Sequence, residues 1–279
     1  MVTTQDVNLF RAAQDETVRL AQQEFAQLWE QLDGLAPARK RDALLDLMPA
    51  LIRKWQDVGG TAAAQWYETV RQYYFDDLFD AVLPEPPDVD AYDDEIRRLV
   101  RWKAGLLWDT DEQPADPEGF RTFLNNVLEH NIRDTSRQTI KENARRDRRH
   151  DSKGVRFARV SQPGCCAWCA LLSSRGYVYR SDDTADAASH YNKHTGKLTC
   201  KCEIIPEFER GSNRIEGYDP DALYDRYDDA RRAIEDGLPD DWLHDMETQG
   251  IKARASDPNA LAYVMRRQHP DEYSDGVAA

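Results

Sequence analysis

Apolar residues recur at helical spacing through the first half of the chain, and the pattern changes character near residue 153. Val18, Ala21, Phe25, Leu28 and Leu32 step by three and four and form one stripe. They predict a helix over 4–33. Thr3 and Asp6 form a capping box at its start, with Asp in place of Glu, and Gly34 and Pro37 end it. A second helical stretch covers 38–57, with Leu44, Leu47, Met48, Leu51, Ile52 and Trp55 inward. Pro49 is expected to kink or split it, and Gly59-Gly60 to break it. Thr61 then caps a third helix, with Trp66, Val70, Tyr73, Tyr74 and Phe79 on its apolar side. Pro84-Glu85-Pro86-Pro87 forbid helix and predict a stiff connection.

A fourth helix is predicted over 92–108 (Ile96, Leu99, Val100, Leu107), followed by an acidic loop from Asp109 to Pro117. A long fifth helix runs over 117–147, carrying Phe120, Phe123, Leu124, Val127 and Asn131 on one face, then Thr139, Ile140 and Ala144. Helices joined by short loops predict a bundle. After residue 153, Val155 to Val160 alternates like a strand, and Tyr177-Val178-Tyr179 is a second candidate. Tyr191–His194 and Lys197–Cys202 flank Thr195-Gly196 as a hairpin, and Glu203-Ile204-Ile205-Pro206 is expected to continue its last strand. Residues 219–249 return to helical spacing through Leu223, Tyr227, Ala230 and Ile234, and the end from Tyr273 is expected to fray. The fold class is therefore mainly α with a β-containing insert (α+β). It reads as a helical bundle over 1–150, a small module over 151–210 and an acidic helical region over 211–279.

Within the module lies a concentration of thiols and imidazoles. All five cysteines fall in 38 residues: Cys165, Cys166 and Cys169, then Cys200 and Cys202, with His190 and His194 between the groups. Zinc takes four tetrahedral ligands from thiolate and imidazole. The turn of Cys166-x-x-Cys169 brings two sulfurs to one ion, and Cys200 and Cys202 share one side of an extended strand. Cys165 is expected to point away, and His194 or His190 could complete the set. A two-residue turn at Thr195-Gly196 sets His194 opposite Lys197, with the histidines on the face opposite Cys200 and Cys202; a three-residue loop reverses that relation. Three other readings stand beside zinc: cysteines packed as small apolar residues, a redox Cys-x-x-Cys, and a disulfide formed after release from the cell. A small module buries little core, so a structural zinc would supply stability, and four closed ligands leave no position for a catalytic water.

Length and charge narrow the classes further. The chain has 279 residues, 41% hydrophobic and 32% charged, with net charge −14. No apolar run of membrane length occurs, and Met1 to Asp6 lacks the pattern of a signal peptide, so a reducing compartment at synthesis is expected. The acidity argues against a nucleic-acid coat. Charge is uneven, however. Residues 137–159 hold nine Lys and Arg against three acids, and residues 216–247 hold twelve acids against three Arg. Arg145, Arg146, Arg148 and Arg149 could meet packaged DNA or an acidic partner; the competing reading is the solvated end of a long helix. The acidic segment reads as a solvated helical face.

Several runs together resemble a known family. They are Arg137-Gln138-Thr139-Ile140, Glu142-Asn143-Ala144 and Asp147, then Phe157-Ala158-Arg159-Val160, then Cys166 through Gly176, Val178-Tyr179, and Cys200-Lys201-Cys202-Glu203-Ile204-Ile205-Pro206. The chain here resembles the Mu F-like head morphogenesis proteins, minor head proteins of tailed phages, in the form found among phages of actinobacteria. The resemblance covers about 137–208. It implies a variable helical N-terminal region joined to a Cys-x-x-Cys … His … Cys-x-Cys module with structural Zn²⁺ on Cys166, Cys169, His194, Cys200 and Cys202. The family usually places its His two or three residues before the Cys-x-Cys; His194 is six before Cys200, which leaves the ligand open between His194 and His190.

The resemblance also implies a minor capsid protein made in the host cytoplasm. Such a protein acts with portal and major capsid proteins, resides inside the virion head, and in some cases leaves it with the DNA. Some members are labelled capsid maturation proteases. Ser173, Ser174, Ser189, His190 and Asp186 are present, but no nucleophile signature surrounds them, so a structural role ranks ahead of catalysis. A zinc-dependent nucleic-acid binder is the third reading.

Overall fold

The computed structural model of the chain describes residues 2–84, 88–111, 113–147, 155–162, 164–179, 191–192, 197–198, 202–208 and 215–273. It is mainly helical, as the periodicity predicts, with eight α-helices among the described residues. These are α1 (Thr4–Gln31), α2 (Pro37–Arg71), α3 (Val89–Lys103), α4 (Pro117–Arg146), α5 (Ala167–Ser173), α6 (Pro220–Asp236), α7 (Asp240–Thr248) and α8 (Pro258–Gln268). A 3₁₀ turn, Ala104–Leu107, continues α3. The strands are β1 (Phe157–Val160), β2 (Tyr191–Asn192), β3 (Lys197–Leu198) and β4 (Glu203–Pro206).

The chain forms two compact units. One is Asn8–Asp147 with His190–Leu198; the other is Met1–Val7, Arg148–Ser189 and Thr199–Ala279. In the first, α2, α3 and α4 pack together. Phe25, Trp29, Leu44, Met48, Ile52, Ile96, Val100, Phe120, Leu124 and Ile132 belong to one buried cluster. Asp88 and Asp116 cap α3 and α4 by accepting from the Ala91 and Gly119 amides at 3.0 and 2.8 Å.

Three features of this unit depart from the expected helices. α2 is a single helix of 35 residues, running through Pro49 and Gly59-Gly60 where the sequence predicts a kink and a break. The glycines are spacing residues. A Cβ on Gly59 would lie 3.0 Å from the Ile132 methyl and 3.2 Å from Ser136 Oγ, so α4 packs closer here than Cβ atoms usually sit and would have to give way to a side chain. Ser136 donates to the Gly59 carbonyl at 3.1 Å. Thr61, expected as a cap, instead donates back to the Asp57 carbonyl at 2.7 Å within the helix. Beyond Arg71 the chain leaves the helix. Ala81 N–H donates to Glu68 at 2.7 Å, and Tyr67 and Phe79 pack with ring centroids 5.4 Å apart.

β2 and β3 pair antiparallel, Tyr191 opposite Leu198 and Asn192 opposite Lys197. Four positions therefore separate the paired residues where a two-residue turn was expected, and those positions, 193–196, lie outside the described residues. This hairpin packs on α4. β4 does not extend it. β4 pairs antiparallel with β1 in a separate sheet, Phe157 opposite Pro206 through Val160 opposite Glu203. Arg156 closes one end of that pair with a bidentate bond to Glu207 at 2.5 and 2.7 Å. β1 lies within the segment whose alternation predicts a strand, and all four of its residues are buried. Of the predicted second strand, Tyr179 forms an isolated bridge to Phe157.

The core of the second unit gathers distant segments. Ala167, Ala170 and Leu171 of α5 join one buried cluster with Ala230, Met246, Ala260, Leu261, Tyr263, Val264 and Met265 from α6, α7 and α8. α8 was not anticipated, although Asp257 caps it by accepting from the Asn259 amide at 2.9 Å and Pro258 fills its first turn. The N-terminus enters the same unit: Thr4 N–H donates to the Glu216 carbonyl at 2.7 Å, and Glu216 N–H to the Val2 carbonyl at 3.2 Å. Tyr273 is buried, and residues 274–279 lie outside the described residues.

Candidate metal centre

The knuckle takes its shape from a short path between β1 and α5. Gly164, at φ 69°, supplies the left-handed residue of the turn, which Cys165 N–H closes on the Gln162 carbonyl at 3.1 Å. Cys166 follows in extended conformation as the N-cap of α5, and its Sγ accepts from the Cys169 amide at 3.4 Å. The thiol takes the place usually held by Ser, Thr or Asp. Cys166 and Cys169 are both buried, while Cys165 is half-buried.

Cys202 comes from a different part of the chain. It is 1% exposed and directly precedes Glu203, which faces Val160 at the end of the β1–β4 pair. Burial pushes the Tyr218 phenol up, and the charges of Cys202 and Cys165 push it the same way. Tyr179 is likewise raised by burial, with Cys202 contributing. Both cysteines are thus electrostatic neighbours of one hydroxyl. His190, His194 and Cys200 lie outside the described residues, as do Asp186 and Ser189. Among the described residues alone, no three His, Cys, Asp or Glu side chains are arranged to hold a metal. The donors that are described are of the soft kind zinc takes: buried sulfurs, two of them joined through an amide-to-sulfur bond.

The opposite end of α5 is fastened by hydroxyls. Tyr179 donates to the Leu172 carbonyl at 2.6 Å, and Ser174 to that of Leu171 at 2.8 Å. The Tyr218 hydroxyl lies 2.5 Å from the Ser173 carbonyl and 3.3 Å from that of Arg159 in β1. The last carbonyls of a helix have no partner within it, and these side chains meet three of them. Ser173 and Ser174, weighed above as nucleophiles, are buried, and Ser174 spends its proton on its own helix. Neither tyrosine stood out in the sequence, since each acts on a carbonyl far along the chain or across a turn.

The basic run at the end of α4 is interrupted by Asp147, which turns inward. Its carboxylate accepts from Arg71 at 2.6 Å and from the Tyr67 hydroxyl at 3.2 Å. Arg146 is exposed but spans the Phe79 ring and donates to Asn143 at 3.0 Å. Arg145 is half exposed, 3.9 Å from Glu142. Arg148 and Arg149 lie outside the described residues. No helix among the described residues is long and apolar enough to cross a membrane.

Compared with known proteins, residues 1–230 match the family model described as VG15 protein. No curated protein and no solved structure matches the chain.

Proposed function

The chain belongs to the VG15 protein family, a family of phage proteins, and on that premise we propose that it is a minor structural component of the phage head. In this reading it joins portal and major capsid proteins during head assembly and stays inside the virion, from which it can leave with the DNA. The Mu F-like resemblance of residues 137–208 supports the assignment. Zn²⁺ is the proposed cofactor. Cys166, Cys169, Cys200 and Cys202 would hold it, with His194 as a further candidate ligand. It would cross-link the turn before α5 to the segment before β4.

The observation that carries a structural role is the burial of Cys166, Cys169 and Cys202 within an apolar unit, together with the Cys166–Cys169 amide-to-sulfur bond. Buried, closed thiolate sites stabilise folds; catalytic zinc sites keep a position open to water. The maturation-protease reading is the alternative, and packaged DNA is a further candidate partner through the exposed Arg145 and Arg146 and through Arg148 and Arg149.

Coexpression with the portal and coat proteins of the same phage tests the proposal. The expected result is co-sedimentation of the chain with head assemblies and uncut coat protein. Coat cleavage that disappears in Ser173→Ala or Ser189→Ala, with the fold intact, would replace the structural reading with the enzymatic one.

A further inference from the structure

Two tyrosines join the elements that carry the thiols. α5 is seven residues long, so Cys166 and Cys169 ride on a rigid piece two turns in length. Cys202 directly precedes β4, whose position follows from its pairing with β1. What fixes α5 relative to β1 therefore fixes the knuckle relative to Cys202. Tyr218 spans that joint with one hydroxyl, lying within bonding distance of Ser173 in α5 and Arg159 in β1. Tyr179 spans it a second way. Its backbone exchanges bonds with Phe157 of β1 at 2.9 and 3.3 Å, while its hydroxyl bonds Leu172 of α5 at 2.6 Å. Tyr179 is buried and Tyr218 half-buried, so these bonds are partly shielded from water.

We propose that Tyr179 and Tyr218 are positioning residues of the metal centre, setting the distance between the Cys166/Cys169 knuckle and the Cys202 strand. The inference rests on the zinc reading above. It assigns the tyrosines no contact with the ion. They act as an outer shell, holding backbone and not ligand atoms, and loss of outer-shell partners typically weakens metal binding by about 10–100-fold.

The test is zinc release to a chelator from the full chain, with absorption spectra of the Co²⁺-substituted protein, for wild type, Tyr218→Phe and Tyr179→Phe. Ala230→Gly, in the core of the same unit, serves as a control for general loss of stability. Zinc release about 10-fold faster in either tyrosine variant is the expected result. A changed thiolate-to-cobalt absorption should accompany it, with neither change in Ala230→Gly at comparable melting temperature. Tyr179→Phe carries the test if Tyr218→Phe does not fold. Release as slow as wild type, or no faster than in Ala230→Gly, would overturn the positioning role while leaving the zinc site standing. Wild-type protein that takes up neither metal overturns the zinc reading, and the proposal with it.

Discussion

Asn143 grips the backbone of Val82 from both sides. Its carboxamide accepts from the Val82 N–H and donates to the Val82 carbonyl, each at 2.8 Å. The same group donates to the Thr139 carbonyl at 2.7 Å and accepts from Arg146 at 3.0 Å, so all its hydrogen-bonding capacity is used in a fully buried position. The stretch after α2 is held to α4 through this one side chain. Asn143→Asp would face a carboxylate toward two carbonyl oxygens. We expect a loss of about 3 kcal/mol, read from urea unfolding by circular dichroism. An unchanged midpoint would mean that the grip contributes nothing.

Gly59 should tolerate no large side chain. Gly59→Leu drives atoms into Ile132 and Ser136 of α4 and should cost about 2–3 kcal/mol. Gly105, with no atom within 4 Å of its ideal Cβ, is the matching control, and Gly105→Leu should change stability by about 0.5 kcal/mol or less. Equal effects at the two positions would remove the close approach of α2 and α4 from the account.

These two sites bear on what the sequence could disclose. The Thr3–Asp6 capping box was legible because its partners lie three apart, and it forms with bonds of 2.8 and 3.2 Å. The Cys166–Cys169 contact is local in the same way, three residues apart. Gly59-Gly60 was misread because its use depends on α4, more than 70 positions away, and local propensity alone favours a break. Glu203–Pro206 was assigned to the neighbouring hairpin because its true partner, β1, is remote in sequence. Asp257-Pro258 does carry a local start signal for α8, an Asp cap followed by Pro in the first turn. The tyrosine bonds to α5 carbonyls leave no local trace.

Acid should weaken the second unit through Asp245. Bonds from Tyr263, Gln249 and Arg267 hold its carboxyl down to about 2, against an ordinary value of 3.8. A lowered folded-state pKa contributes stability that is complete above pH 3.8 and lost as pH falls toward 2. Wild type should therefore lose stability across that window, and Asp245→Asn should lose less there. Parallel acid curves for the two proteins would contradict the assignment.

Removal of residues 1–7 should destabilise the cysteine-bearing unit despite their distance in sequence. Val2 and Thr4 bond the backbone of Glu216, and Val2 and Val7 are buried. Faster hydrogen exchange in α5 and β4 is the expected signature, with the α2–α4 core keeping its protection. Unchanged exchange in α5 and β4 would show that the N-terminal contact is dispensable.

The most direct test of the proposed zinc site is the metal content of the chain purified under reducing conditions, measured for wild type and Cys166→Ser. The account predicts about one zinc per wild-type chain. It further predicts that Cys166→Ser loses the metal along with cooperative unfolding of the cysteine-bearing unit, while the α2–α4 bundle stays folded. Zinc-free wild-type protein with the same stability as Cys166→Ser would contradict it.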